Sequence, residues 1–127
     1  MTTHAPKATA QALIDAYYTG LAKRAGWDIP LADDFAFTGG TAGSGSQGKA
    51  AYAEVLRQFG RMFESVTVKR SIVDGEHACV IATYGAISPS GNRRTFDIAE
   101  VWTVRGGELA SLTIYFDTAG WKQFMTT

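Results

Sequence analysis

Four runs of β-branched and aromatic residues in the second half of the chain constrain its fold more than any other feature. They read SVTVKRSIV from Ser65, HACVIATYGAIS from His77, RTFDIAEVWTV from Arg94 and ELASLTIYF from Glu108. Residues of this kind favour strands. The joints are short and carry turn chemistry, with Asp-Gly at 74–75, Ser-Pro-Ser-Gly-Asn at 88–92 and Gly-Gly at 106–107. Four strands joined in this way predict an antiparallel meander.

The first half of the chain shows the periodicity of helices. Apolar residues recur at helical spacing over residues 9–24 and again from residue 52 to residue 63. Between these stripes, LADDFAFTGG at residues 31–40 predicts a short helical turn followed by a brief strand over residues 35–38. Helices followed by a strand meander are typical of an α+β fold. Because the 127 residues contain no repeat or linker, we expect one domain over residues 1–127, with an ordered core at about 8–124.

Composition and charge argue against several classes of function. Twelve basic residues balance twelve acidic ones without a basic cluster, so we expect no nucleic-acid partner. No apolar run approaches the roughly 20 residues that a bilayer-spanning helix needs, so we expect no membrane partner. The start of the sequence lacks the apolar core of a signal peptide, which favours a cytoplasmic location. The single cysteine, Cys79, excludes an internal disulfide, and we expect it to be a buried, inert thiol.

Residues 43–50, GSGSQGKA, come close to the phosphate-binding loop pattern G-x-x-x-x-G-K-[ST]. Ala50 stands where the motif needs the hydroxyl that binds magnesium. Such a loop also belongs to a sheet built from β-α-β units, which the predicted meander is not. We therefore expect a mobile loop over residues 39–48 that leads into the second helix and binds no nucleotide.

Strand alternation places one carboxylate among apolar side chains. Phe96, Ile98 and Trp102 share a face of their strand, and Glu100 lies in line with them. A buried carboxylate is costly in its charged form, so its pKa should rise unless a cation pairs with it. Glu100 is therefore a candidate catalytic or ligand-binding residue. The alternative is an edge glutamate that reaches solvent or pairs with an arginine such as Arg70.

Several of these segments together resemble a known superfamily. The segment LADDFAF, the acidic residue before Val-Trp in AEVWTV, the G-G-E-L hairpin and the terminal YFD are similar to the nuclear transport factor 2-like superfamily, and within it to the SnoaL-like group. The resemblance implies a strongly curved antiparallel sheet wrapped as a cone around the N-terminal helices, a cystatin-like α+β barrel. It also implies a homodimer across the outer sheet face, which carries Val101, Thr103, Thr113 and Tyr115, and a deep pocket for a hydrophobic small molecule. We expect this pocket to be lined by Phe37, Tyr52, Phe59, Tyr84, Phe96, Ile98, Trp102, Ile114 and Phe116.

The same resemblance suggests roles for two residues. Ketosteroid isomerase, a member of the superfamily, uses a protonated acid that donates a hydrogen bond to an oxyanion. Through AEVWTV, this position corresponds to Glu100. Its tyrosine partner on the first helix corresponds to Tyr17 or Tyr18, and Tyr17 is the better candidate because it lies on the apolar stripe. The general base of that enzyme corresponds to Gly39, so its unmodified mechanism does not fit. Limonene-epoxide hydrolase does not fit either, because Gly39 and Ile114 stand where its polar catalytic residues would lie.

Two hypotheses of function follow from these residues. The first is an enzyme of the isomerase, cyclase or dehydratase type that acts on a hydrophobic carbonyl compound. Glu100 would be its proton donor or shuttle, and Tyr17 would assist at the carbonyl oxygen. The second is a non-catalytic module for binding a small ligand or for dimerisation.

The remaining polar residues have simpler expected roles. Asp33 and Asp34 are expected to cap a turn, and His77 is expected to lie on the surface. Asp97 and Asp117 are expected on the sheet face opposite to the apolar one. No group of residues has metal-ligand spacing, and we expect neither a metal nor a cofactor.

Overall fold

The structure is a computed structural model and describes residues 9–23, 30–39 and 45–126 of the chain. Three helices and six strands lie within these ranges, and the predicted α+β class is confirmed. None of these helices is long and apolar enough to cross a membrane. In chain order the elements are α1 (Ala10–Lys23), β1 (Leu31–Thr38), β2 (Gly45–Gln47), α2 (Lys49–Phe59), β3 (Phe63–Asp74), β4 (His77–Ile87), β5 (Arg93–Arg105), β6 (Glu108–Tyr115) and α3 (Thr118–Met125).

The strands form one six-stranded sheet with the order β2-β1-β6-β5-β4-β3. The predicted meander is confirmed, because β3, β4, β5 and β6 each pair antiparallel with the next strand in sequence. β1 pairs parallel with β6, so the sheet is mixed rather than purely antiparallel. The connection through β2 and α2 explains this difference, since it carries the chain from β1 to the opposite edge of the sheet.

The sheet is curved and does not close on itself. Its pairing register shifts between Val68 and Arg70 in β3 and between Thr103 and Val104 in β5. Irregularities of this kind bend a strand and increase its local twist. The bent sheet therefore wraps around the helices that pack on its inner face.

Two strand assignments differ from the sequence-based expectations. The helical turn expected at residues 31–34 is wrong, because β1 already begins at Leu31, which pairs with Leu109 of β6. The loop expected over residues 39–48 contains β2, which pairs antiparallel with the end of β1. Residues 40–44 of that loop lie outside the described residues. In both segments, hydrogen bonding to a neighbouring strand decides a conformation that local sequence left open.

Two features of the helices also differ from expectation. The second apolar stripe continues to residue 63, but α2 ends at Phe59, and Phe63 begins β3. The helix α3 was not predicted. Asp117 caps it, because a carboxylate oxygen of Asp117 accepts a hydrogen bond from the backbone N–H of Gly120 at 2.8 Å.

The core lies between the helices and the inner face of the sheet. Along β4 and β5 every second residue is buried, from Ala78 to Ala86 and from Phe96 to Val104. α1 covers this face with buried residues that include Leu13 and Ile14. A smaller apolar cluster lies beneath α3, around Phe124. The face that carries Glu100 is thus the inner face of the sheet.

Candidate functional site

A cavity of about 510 Å³ lies between α1, α2, α3 and the inner face of the sheet. Binding pockets for small organic molecules commonly have volumes of about 300–1,000 Å³. Most of the wall is aromatic or aliphatic, and Glu100 is the one carboxylate that the described residues contribute to it. The mouth is marked by the lining residues that are exposed to solvent, which are Ala22, Ala53, Arg57, Gly60 and Ser65.

Glu100 projects from the middle of β5 and is 4% exposed. Two phenols donate hydrogen bonds to the same oxygen of its carboxylate. The hydroxyl of Tyr18 lies 2.8 Å from Oε1, and the hydroxyl of Tyr84 lies 2.7 Å from it. Within the described ranges no cation pairs with Glu100, and Arg70 is exposed. Glu100 is therefore a buried acid in the cavity wall, and the alternative of an edge glutamate is wrong.

Burial raises the pKa of Glu100 from its ordinary value of 4.5 to about 7. Removal of water from the carboxylate is the largest cause, and the hydrogen bonds from Tyr84 and Tyr18 oppose it by stabilising the anion. Burial also raises the pKa of Tyr84 and of Tyr18 well above the ordinary phenol value, and the nearby charge of Glu100 raises both further. Both phenols consequently keep their protons and remain donors when Glu100 titrates.

Residues 10–112 match the family model of the SnoaL-like domain. The chain belongs to the SnoaL-like domain family. None of the curated protein sequences matches it.

Several solved structures are similar in fold to this SnoaL-like domain. TerC, co-crystallized with polyporic acid, is 22% identical over 91% of this chain and 96% of its own, with a TM-score of 0.76. A nuclear transport factor 2-like protein from Burkholderia pseudomallei is 19% identical over 92% of this chain and 97% of its own, with a TM-score of 0.78. A protein with a ketosteroid isomerase-like fold from Catenulispora acidiphila, in complex with trimethylamine, is 18% identical over 90% and 92%, with a TM-score of 0.72. These likenesses show the nuclear transport factor 2-like fold that the sequence predicted.

Of the two tyrosines on the first helix, Tyr17, which the sequence favoured, lines the cavity, whereas Tyr18 donates the hydrogen bond to Glu100. The hydroxyl of Tyr17 is hydrogen-bonded instead to that of Tyr52, at 2.5 Å, and both side chains line the cavity. Consecutive residues of a helix point about 100° apart. Because the curved sheet covers α1 broadly, both directions are buried, with Tyr17 at 2% and Tyr18 at 6% exposure. The apolar stripe alone could not separate the two tyrosines.

Seven of the nine side chains expected in the pocket lie in the cavity wall, and two do not. Phe96 packs against Trp121 and Phe124 of α3, at ring distances of 5.2 Å and 5.6 Å, so the unpredicted helix separates it from the cavity. Trp102 is fully buried behind Tyr17, at a ring distance of 4.6 Å, and lies in the core. The seven that line the cavity are Phe37, Tyr52, Phe59, Tyr84, Ile98, Ile114 and Phe116.

Sequence reasoning missed two aromatic residues of the wall. Phe63 was assigned to the end of the second helix, but it begins β3 and packs on Tyr84 at a ring distance of 4.8 Å. Trp121 belongs to α3 and stacks on Phe63 at 5.4 Å. The signal for α3 was present in the sequence, since Asp117 as a cap followed by aromatic residues three positions apart indicates a helix.

The other polar candidates lie away from the cavity. Asp34 is exposed and accepts a hydrogen bond from Arg105 at 2.9 Å. Asp97 is exposed on the outer face and accepts from Thr83 and Lys69, two contacts that lower its pKa. His77 is exposed, as expected.

Asp33 is exposed in β1 instead of capping a turn. Cys79 is half-buried on the outer face of β4, so the expectation of a buried thiol is wrong. Its strand alternates, and the buried positions are its neighbours Ala78 and Val80. Within the described ranges, no group of three or more histidine, cysteine, aspartate or glutamate residues could hold a metal ion.

Proposed function

We propose that this SnoaL-like domain binds a hydrophobic carbonyl compound in its cavity and that Glu100 acts on the compound as a proton donor and shuttle. The reaction would be of the isomerase or cyclase type. The observation that supports the proposal is the burial of Glu100 in a mostly apolar wall, with a pKa of about 7. A general acid or base is most effective when its pKa is near the ambient pH, because it can then give and take a proton at little cost.

The hydrogen bonds of Glu100 indicate which of its oxygens would meet the ligand. Oε1 accepts from both Tyr18 and Tyr84, whereas none of the described residues donates to Oε2. When it carries a proton, Oε2 can donate a hydrogen bond to a carbonyl oxygen and stabilise negative charge that develops there. When it is ionised, the same oxygen can accept a proton from the carbon next to the carbonyl group.

Glu100 is the one group in the described part of the wall whose pKa lies near neutral pH, because burial raises the pKa of Tyr17, Tyr52 and Tyr84 above the ordinary phenol value. No other carboxylate, imidazole or amine lines this part of the wall, and the guanidinium of Arg57 at the mouth is hydrogen-bonded to Glu54 at 2.9 Å. The described part of the wall therefore does not supply the two groups that a reaction with a separate acid and a separate base would need. Isomerisation and intramolecular ring closure move one proton within a molecule without net gain or loss. A single carboxyl group can take that proton from carbon and return it elsewhere.

Similar structures also favour a small-molecule ligand. TerC is co-crystallized with polyporic acid, and the Catenulispora acidiphila protein is in complex with trimethylamine. Both proteins share the fold of this chain, which supports the proposal that its cavity binds a small molecule.

Proton exchange at carbon tests the proposal directly. A panel of hydrophobic ketones and conjugated enones is incubated with the protein in D2O at pH 7, and loss of the proton next to the carbonyl group is followed by NMR. We expect exchange with at least one compound, and a decrease of roughly 10²- to 10⁴-fold in Glu100→Gln, the usual contribution of a general acid or base. Asp97→Asn is the matched control, because it removes an exposed carboxylate from the same strand, and its exchange rate should equal that of the wild type.

Three outcomes of this experiment have different meanings. Exchange that persists in Glu100→Gln contradicts the role of the carboxyl group. Saturable binding without exchange in the wild type supports the alternative, a non-catalytic module that binds a small ligand. Absence of both, for compounds small enough for 510 Å³, contradicts the assignment of the cavity as a carbonyl site.

We further propose that the domain forms a homodimer across the outer face of the sheet. Large apolar side chains are exposed there, with Ile72 at 56%, Val101 at 38% and Tyr115 at 60% exposure. Apolar patches of this kind on a sheet commonly mark an interaction surface. The resemblance to the nuclear transport factor 2-like superfamily implies the same surface. We also propose a cytoplasmic location for this dimer.

A further inference from the structure

A chain of hydrogen bonds connects Glu100 to a residue that does not touch the cavity. The indole nitrogen of Trp102 lies 3.1 Å from the hydroxyl oxygen of Tyr18, which in turn lies 2.8 Å from Oε1 of Glu100. Tyr84 approaches the same Oε1 from β4 at 2.7 Å. Trp102 is fully buried, and Tyr18 and Tyr84 are 6% exposed. Water therefore has little access to these side chains and cannot readily replace their hydrogen bonds.

The chemistry of the groups fixes the direction of this chain. An indole N–H can only donate, so the oxygen of Tyr18 must accept from Trp102. A phenol has a single proton, and with its oxygen already accepting from the indole, that proton is directed at Glu100. Without the indole, the hydroxyl of Tyr18 could turn and accept a proton from the carboxyl group, because a phenol serves as donor or acceptor.

We propose that the indole of Trp102 holds Tyr18 as a donor to Oε1 of Glu100 and thereby keeps the exchangeable proton of the carboxyl group on Oε2. Trp102 is then a positioning residue, since it acts on Glu100 only through Tyr18. With two donors on Oε1, a proton there would face two hydrogens, whereas none of the described residues donates to Oε2. Glu100 lines the cavity, so Oε2 is the oxygen that offers its proton to a ligand.

Among the described residues, the surroundings of Glu100 contain no other group that would set the position of this proton. From α1 it is faced by Tyr17 and Tyr18, from α2 by Tyr52 and from β4 by Tyr84, all of them phenols that burial keeps protonated. On β6, Ile114 lies opposite Glu100. The inference deepens the proposed function, because the proton on Oε2 is the one that Glu100 would donate. It can nevertheless be tested without substrate, so the two proposals can fail separately.

The indole N–H resonance of Trp102 reports on this chain of hydrogen bonds without any substitution at position 102. In ¹H–¹⁵N spectra of the wild type we expect this resonance to move with pH, with the same midpoint as Glu100, because Tyr18 is hydrogen-bonded to both side chains. Its movement should vanish in Glu100→Gln and in Tyr18→Phe. It should persist in the matched control Tyr84→Phe, which removes the other phenol donor and leaves the chain to Trp102 intact. A resonance that stays fixed while Glu100 titrates, or one that still titrates in Tyr18→Phe, would contradict the proposal.

A double-mutant cycle measures the effect on Glu100 itself. Because the donated hydrogen bond stabilises the anion, Trp102→Phe should raise the pKa of Glu100 by up to about 1, the equivalent of one ordinary hydrogen bond. In the Tyr18→Phe background the same change should have no further effect. An equal rise in both backgrounds would show that Trp102 acts by packing alone and would overturn the proposal. If Trp102→Phe does not fold, a benzothiophene analogue of tryptophan at position 102 keeps the ring shape and lacks only the N–H, and it should give the same rise.

Discussion

Replacing Glu100 with glutamine should make the stability of the protein less dependent on pH. The side-chain amide has the shape of the carboxyl group, and its oxygen can accept the same two hydrogen bonds from Tyr18 and Tyr84. Burial raises the pKa of Glu100 from 4.5 to about 7, so the folded protein binds this proton more tightly than the unfolded chain does. The resulting stability is fully present below pH 4.5 and is lost as the pH rises through 7. Glutamine has no such proton to lose.

The magnitude follows from the difference between the two pKa values. From 4.5 to about 7 the pKa rises by about 2.5, and each unit corresponds to 1.36 kcal/mol, so the free energy of unfolding falls by about 3 kcal/mol. A typical domain is stable by only about 5–15 kcal/mol, so this change is large enough to measure. All other titrating groups are shared by the two proteins. The difference in unfolding free energy between Glu100→Gln and the wild type should therefore grow by about 3 kcal/mol from pH 4 to pH 8.5.

Urea denaturation at intervals of half a pH unit, followed by far-ultraviolet circular dichroism, measures this difference. Protein concentration is held constant so that any dimer contributes equally to each curve. Asp97→Asn serves as the control. Asp97 is an exposed carboxylate on the same strand as Glu100, and its pKa is lowered rather than raised. Parallel pH profiles for the wild type and Glu100→Gln would refute the argument that folding desolvates this carboxyl group.

Three further predictions concern Tyr84, the outer face and the glycine-rich loop. Tyr84→Phe removes one of the two hydrogen bonds to Oε1 of Glu100, so it should raise the pKa of Glu100 above 7. The same change should destabilise the fold by about 1 kcal/mol. A pKa of Glu100 that is unchanged in Tyr84→Phe would contradict the hydrogen bond. Sedimentation equilibrium at micromolar concentration should give twice the 13.6 kDa chain mass, and Tyr115→Lys, which places a charge on the outer face, should give the single chain mass; a monomeric wild type would remove the dimer proposal. Calorimetric titration with ATP and magnesium should show no heat of binding, whereas micromolar binding that Lys49→Ala abolishes would contradict the rejection of a phosphate-binding loop.

The part of the fold that follows from local chemistry could be read from the sequence. The turns at 74–75 and 106–107 gave the hairpins, and Gly75 and Gly106 indeed adopt positive φ angles of 59° and 61°, which glycine tolerates best. The alternation of side chains between the two faces of a strand predicted which residues of β5 lie on the inner face, including Glu100. Both signals depend only on residues that are close in sequence.

The rest depends on contacts between distant segments. Leu31 belongs to a strand only because β6, about 80 residues later in the chain, offers it a parallel partner at Leu109. Alternation showed that Phe96 and Trp102 point inward, but it could not show which part of the inner face lies beneath a helix and which part faces the cavity. The helical stripe likewise could not show that Tyr18 donates a hydrogen bond to Glu100 while Tyr17 lines the cavity, because the curvature of the sheet decides how much of α1 is covered.

The titration of Glu100 by carboxyl-carbon NMR tests the central claim most directly. In the wild type, with glutamate labelled at the side-chain carboxyl carbon, one resonance should titrate with a midpoint near 7, and this resonance should be missing from Glu100→Gln. Such a midpoint would show an acid that burial has brought into the range of neutral pH. A midpoint near the ordinary 4.5 would instead show a hydrated or ion-paired carboxylate, and the proposed proton donor would be lost.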